Sequence, residues 1–427
     1  MRLILLLVTA CLAACGSGGI PWKKDASMDR LSRIKADLAF TCAHERFPEP
    51  SADSDQVFKY ARWLEKNNQL KQDKAVDGQI ERLYRIAAEN GHAKATINLQ
   101  NGSMRGRRYG LTGEENLRLS QQLMDAGVAT GYYFVGIFLN QGSAGLQQDE
   151  AMALRYFRKA ADEGSANAQY YVGDKLAPSN MAPDVARQML RCAAEQGQRD
   201  AASDLGVDLK LGTQYQDALE AFQLGVAAGD SVSASFLYKA FRNPPPTNEL
   251  HYLAQPEDLE RADRYEKIWR ILARSSYASP TVPEINEIVP LPPAKLPPWD
   301  GKLQWLEERL ANVPPPKPSE ALIHQLANAR KLDPATGKPL PDSPVFSGYG
   351  FPLRTAYSGA LCPHAGYWKV MWPMALEVQW REVTRYFEEG EELPPEIVQR
   401  VHERPWPFTD KVTERLERVQ WGMLDEA

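Results

Sequence analysis

Through residues 55–275 apolar and small positions recur in helical rhythm, and five glycines punctuate them. Gly91, Gly127, Gly164, Gly197 and Gly229 stand 36, 37, 33 and 32 residues apart. Periods of that size mark stacked helical hairpins, each burying its apolar face against its neighbours. Ala87-Ala88, Ala160-Ala161 and Ala193-Ala194 precede the glycines, and Ala95, Gly131, Ala168, Ala201 and Ser233 follow four residues after them. Small residues there let neighbouring helices approach closely, while the glycine supplies a left-handed helix end. Leu99, Val135, Val172, Leu205 and Leu237, eight residues past each glycine, mark the core side of the second helix. Two copies depart, with Leu123-Met124 and Gly225-Val226 in place of the alanine pair, and are expected to be distorted or terminal units. Trp63, Tyr84, Tyr132, Tyr133, Tyr156, Phe157, Tyr170, Tyr171 and Tyr215 fall at helical spacing and are assigned to the core between repeats.

The pattern changes after Pro280. Eleven prolines between Pro280 and Pro318 exclude a continuous helix and favour extended segments. The stretch Trp299 to Leu310 still predicts a short amphipathic helix, and its tryptophans and aliphatics mark a connector that packs on the repeats. Seven of the ten tryptophans follow Pro298, with the densest cluster at Cys362-Pro363-His364-Ala365-Gly366-Tyr367-Trp368. The reading divides the chain into 1–14 (leader), 15–54 (tether and first helix), 55–279 (repeats), 280–345 (connector) and 346–427 (a Trp-rich, irregular carboxy-terminal element).

At the amino terminus Arg2 precedes an apolar run, Leu3 to Val8, which ends in Leu12-Ala13-Ala14-Cys15. The 12 residues from Leu3 to Ala14 are too few to span a bilayer core, which takes about 20. The run resembles a bacterial lipoprotein signal. That resemblance implies export, cleavage before Cys15 and acylation of Cys15, leaving a tethered chain. Ser17, where this class carries Asp for inner-membrane retention, points to the outer membrane, facing the periplasm.

The segment from Gly136 to Gly164, with its Gly142-Ser143-Ala144-Gly145-Leu146 loop and Asp149 as N-cap, is similar to a Sel1-like repeat, a relative of the tetratricopeptide repeat. The fold class expected is therefore mostly α: a Sel1-like, TPR-like α-solenoid superhelix with an irregular carboxy-terminal region. In the tail, Cys362-Pro363-x-x-Gly366-x-Trp368, then Phe387 to Pro394, then Arg404-Pro405-Trp406, resembles an element of immunity proteins from polymorphic-toxin and type VI secretion systems. Together the three features resemble periplasmic Sel1-like lipoproteins that neutralise type VI phospholipase effectors. The implied function is binding of a secreted toxin, a phospholipase of the D class, by protein–protein contact. The alternative is a Sel1-like envelope scaffold with no toxin partner.

Composition changes this picture little. A net charge of −5 and pI near 5.8 lack the clustered basic excess that nucleic-acid binding needs. Among Cys42, Cys192 and Cys362 one disulfide can form, and three pairings stay open. Catalysis is not expected: the six histidines are scattered, and no H-E-x-x-H, G-x-S-x-G or P-loop pattern occurs. Ser347 sits in a glycine-rich turn, and Cys42 and His44, if helical, would not face each other at i,i+2. Cys362 and His364 lack further ligands at zinc spacing, so neither metal nor cofactor is expected. The candidate partner-binding residues are Tyr367 and Trp368 as aromatic anchors, with Glu388, Glu389, Glu391 and Glu392 as an acidic run matched to a basic toxin cleft. Arg105 to Tyr109 is a basic loop between repeats, and the carboxy-terminal element is expected to close over the solenoid's groove.

Overall fold

All five repeat glycines adopt positive φ, between +71° and +107°, so each ends one helix and starts the next turn as the spacing predicts. This is read from a computed structural model, which describes residues 38–426 except 106–107, 178–181, 342, 344–354, 373–374, 376, 380–382, 403 and 405–408. Cys15 and its leader, Ser347 and Trp406 lie outside the described residues. No described helix is long and apolar enough to cross a membrane.

Among the described residues twelve helices stack in antiparallel pairs: α1 (Ala52–Asn68), α2 (Lys74–Glu89), α3 (Ala93–Met104), α4 (Gly113–Asp125), α5 (Thr130–Gln141), α6 (Glu150–Asp162), α7 (Ala166–Leu176), α8 (Pro183–Glu195), α9 (Arg199–Leu211), α10 (Tyr215–Ala227), α11 (Ser231–Ala240) and α12 (Leu259–Arg274). The array is an α-solenoid of helical hairpins. The expected boundary at 54/55 falls inside the first turn of α1. Caps match the local sequence: Ser51 accepts from Ser54 N, Asp149 from Met152 N, and Thr112 with Glu115 forms a capping box.

The small-residue positions are fully buried, with Ala88, Ala95, Ala161, Ala168 and Ala201 at 0% exposure. The two departing copies are not distorted, because each larger residue faces a smaller partner. A Cβ on Gly131 would stand 2.8 Å from Met124 Cγ and 2.5 Å from Ser120 O, so the absent side chain makes room for Met124. In the last copy Gly225 does the same for Ser233. The expected core aromatics are all buried or half-buried, Tyr84, Tyr156 and Phe157 almost completely.

The connector leaves α12 and runs back to the start of the array. Val282, Ile285, Val289 and Leu303 enter the core of α9–α12, with the single helical turn α13 (Ile285–Ile288) among them. The predicted amphipathic helix is α14 (Gln304–Ala311), which starts later than the sequence suggests. Arg309 of α14 stacks on Tyr277, just past α12, at 5.5 Å. One residue beyond α14, Asn312 accepts from Trp63 Nε1 at 3.1 Å and donates to Asn67 Oδ1 at 2.8 Å, both on α1. Helix α15 (Glu320–Ala329) then packs on α1 and α2, where Ile323, Leu326 and Ala327 join the first core. The two ends of the solenoid are thus tied by one strap.

The carboxy-terminal region is more regular than its prolines suggest. Strands β1 (Thr355–Tyr357), β2 (Gly366–Met371), β3 (Thr384–Phe387), β4 (Glu396–His402), β5 (Lys411–Glu417) and β6 (Gln420–Glu426) form a four-stranded antiparallel sheet, β1-β6-β2-β3, and a separate β4-β5 ribbon. Trp368, Val370, Phe387, Leu393, Val398, Trp421 and Met423 make its core. Lys369 of β2 forms an ion pair with Glu114 of α4, docking the sheet on the array.

Candidate functional site

On β2 the alternation of a pleated strand separates two neighbouring residues that the sequence had paired. Trp368 points into the sheet core at 0% exposure and donates Nε1–H to His364 O at 3.2 Å. Burial therefore removes Trp368 as a surface anchor. Tyr367 points outward, 54% exposed, and meets Tyr386 of β3 edge-on with centroids 5.3 Å apart. The two are direct cross-strand partners, so the exposed aromatic pair is held by backbone pairing rather than by a loop.

The acidic run continues from β3 as a tight turn. Glu391 N donates to Glu388 O at 3.1 Å, Glu388 N to Glu391 Oε2 at 3.0 Å, and Gly390 takes φ +84° between them. This turn is stitched to the Cys-Pro turn: Cys362 N donates to Glu391 O at 2.6 Å and Gly390 N to Cys362 O at 2.8 Å. All four carboxylates of Glu388, Glu389, Glu391 and Glu392 are exposed. The structure thus gathers Tyr367, Tyr386 and the acidic turn onto one edge of the sheet, the arrangement of an aromatic anchor with a charged rim. Tyr386 was missed in the sequence, although its position in Tyr386-Phe387 two residues before the acidic run is the signal of an outward partner to Phe387.

Cys362 is buried and its thiol donates to His364 O at 3.0 Å. Burial pushes that thiol up from the ordinary cysteine range, which suits a packing role. The end of the basic loop is tied to the array, while Arg105 is exposed: Arg108 lies 3.6 Å from Asp77 and 3.9 Å from Glu65, and buried Tyr109 donates to Glu65 at 3.2 Å.

The other unforeseen feature is at the amino-terminal side. Residues 39–51 form no helix and lie along the glycine turns of the middle repeats. Glu45 accepts from Thr130 N at 2.5 Å and from Thr130 Oγ1 at 2.9 Å, and so caps α5, whose own N-cap residue Ala129 offers no side-chain acceptor. Gln169 Nε2 donates to Ala43 O at 2.8 Å. Of the three possible pairings, Cys42 bonds Cys192 of α8 across 150 residues. His44 also faces α8, 3.7 Å from Glu195. The expectation that Cys42 and His44 point apart rested on a helix that the segment does not form.

A shallow recess of about 440 Å³ between α8, α9 and α10 is lined by Asp184, Arg187, Arg191, Leu205 and Asp217 among others. Its charged groups are spread along an open surface, and Arg187 is engaged by Asp208 at 2.6 Å.

Residues 233–340 match a family described as a domain of unknown function, DUF6396. Those bounds take in most of α11, all of α12 and most of the returning strap. No curated protein matches the chain. Among solved structures, a Pseudomonas aeruginosa protein, PA5086, is 26% identical with a TM-score of 0.46, the match covering 60% of this chain and 95% of that one. The immunity protein Pa5087 of Pseudomonas aeruginosa is 25% identical with a TM-score of 0.47, over 60% and 95% of the two chains. A Sel1 repeat protein from Oxalobacter formigenes is 18% identical with a TM-score of 0.34, over 57% and 93%. The chain is an array of helical hairpins, and it is similar over part of its length to immunity proteins and to a Sel1 repeat protein of known structure.

Proposed function

We propose that this protein is a lipid-anchored immunity protein of the periplasm that binds and neutralises a type VI secretion toxin, a phospholipase of the D class. The observation that carries the binding role is the sheet edge where Tyr367 and Tyr386 stand beside four exposed carboxylates on a rigid scaffold. A phosphate-handling cleft is basic, and an acidic edge complements it and speeds encounter. The toxin class and the anchor rest on the sequence resemblances at Cys15, the Sel1-like repeats and the Cys362 to Trp368 turn. The Cys42–Cys192 bond supports an oxidising compartment, where such bonds persist. A lipid tether concentrates the binder at the surface on which a phospholipase acts. Neutralisation requires only that the cleft be covered, so the chain acts by binding and needs no catalysis of its own.

The test is co-expression of the full chain with each neighbouring gene product directed to the periplasm, scoring survival and co-purification. Rescue from one lethal phospholipase together with a stable complex is expected. In that complex Tyr367→Ala is expected to weaken affinity by about 2 kcal/mol, close to thirtyfold, and replacing all four glutamates by glutamine to slow association. Absence of both a lethal neighbour and a complex overturns the immunity reading and leaves an envelope scaffold.

A further inference from the structure

The seam between the amino-terminal segment and α8 gathers more donor atoms than a disulfide uses. Cys192 and Glu195 stand three residues apart in the last turn of α8, so both project from one side of the helix. Across from them the non-helical segment presents Cys42 and His44. One ligand atom from each of Cys42, His44 and Cys192 lies within 4.8 Å of the others, and His44 Nε2 is 3.7 Å from Glu195 Oε2. Tetrahedral zinc with thiolate bonds near 2.3 Å holds its donors about 3.8 Å apart. Once the bond is reduced, rotation about the two cysteine Cα–Cβ bonds carries the sulphurs from bonding distance to that spacing, with the imidazole already within 4.8 Å of both.

The juxtaposition does not depend on the sulphur–sulphur bond. Glu45 N donates to Gln196 Oε1 at 2.9 Å, and Glu45 itself is held by Thr130 on α5. Gln169 holds Ala43 O, and Arg158 Nη2 donates to Ala39 O at 2.6 Å. These bonds bracket Cys42 and His44 on both sides and none passes through sulphur. Cys42 and His44 are exposed while Cys192 is buried, so a dissolved dithiol reaches one sulphur of the bond.

We propose that in its dithiol form this seam is a zinc site, with Cys42, Cys192 and His44 as ligands and Glu195 or water in the fourth position. An external dithiol is oxidised to its disulfide while the Cys42–Cys192 bond takes up two electrons and two protons. Zinc then displaces both thiol protons to solvent as two Zn–S bonds and one Zn–N bond form. Two thiolates and an imidazole suit zinc and exclude the hard cations magnesium and calcium. One seam therefore has two alternative clasps, one covalent and one metallic.

The test uses the full chain kept reduced by a phosphine, with cobalt(II) as the spectroscopic probe and zinc as competitor. One equivalent of cobalt is expected to give visible d–d bands with thiolate charge transfer, about two protons are released per metal at neutral pH, and zinc displaces cobalt and raises the melting temperature. Cys42→Ser abolishes the charge-transfer band, and His44→Ala weakens zinc binding by about tenfold or more. Cys362→Ser changes neither, and a chain carrying Cys11→Ser and Cys15→Ser keeps the full signal. The oxidised chain binds neither metal. Binding that survives Cys42→Ser, an affinity unchanged by His44→Ala, or no binding by the reduced chain overturns the proposal. Hydrogen exchange at residues 42–47 is followed in parallel: a segment that leaves on reduction and is not restored by zinc overturns it equally.

Discussion

Gly164 has two duties that only glycine meets together. Its φ of +107° ends α6, and a Cβ there would stand 2.7 Å from the backbone of His44 and Glu45. Gly164→Ala is therefore expected to push the amino-terminal segment off the array, read as faster hydrogen exchange at residues 42–47 and a loss of about 1–3 kcal/mol in urea unfolding. Gly197 has the same backbone conformation with open space around it, so Gly197→Ala carries the conformational cost alone and serves as the comparison. His92 gives a pH dependence of definite sign. Its Nδ1 accepts from Ala95 N at the start of α3, its ring stacks on Phe58, and burial lowers its pKa below the ordinary 6.5 against the opposing pull of Asp55. The unfolded chain takes up this proton near pH 6.5 and the folded chain resists it, so the stability from neutral His92 is whole above pH 6.5 and lost as pH falls below it. Urea midpoints measured from pH 7.5 to 5 should fall, and His92→Asn, which keeps an N-cap acceptor, should flatten that fall.

At the scale of elements, what the sequence discloses depends on whether the constraint is local. The helix pairs were legible because each needs a glycine with positive φ and small residues at fixed offsets. The apparent defects at Met124 and Gly225 were not, since their compensation by Gly131 and Ser233 lies on the facing helix. Gly131→Leu is expected to lose about 2–3 kcal/mol by overpacking against Ser120 and Met124, measured by thermal or denaturant unfolding. The strands were hidden for a different reason. The β2–β6 register shifts between Tyr367 and Trp368, and β1 and β3 are only three and four residues long, so no long alternation shows. All of the candidate edge but Tyr386 was nonetheless readable: Tyr367 and the four glutamates come together, while Trp368 belongs to the core because adjacent residues of a strand face opposite ways. Trp368→Ala should accordingly unfold the carboxy-terminal sheet at a cost of about 3–5 kcal/mol, seen as lost β-sheet circular dichroism, whereas Tyr367→Ala should leave folding unchanged.

At the scale of the molecule, the contacts that tie the solenoid together join residues far apart in the chain and leave no periodic trace. Asn312 is the plainest case. It holds a left-handed φ of +44° and exchanges hydrogen bonds with Asn67 and Trp63 some 245 residues earlier. Asn312→Gly keeps the backbone and removes those bonds, and should cost about 1–2 kcal/mol, with faster amide exchange in α1 and α14 while the middle repeats are unaffected. The Cys42–Cys192 link works on the same scale with a different result. It encloses α1 to α7 in a covalent loop and joins the leading segment directly to α8. A pull applied at the amino-terminal end therefore bypasses seven helices and loads α8 first. In single-molecule stretching between the two termini, the oxidised chain should extend short by the contour of that enclosed loop, and reduction should release it as one added length. An anchor placed ahead of Cys42 could thus be tugged without peeling the repeats apart from their first helix.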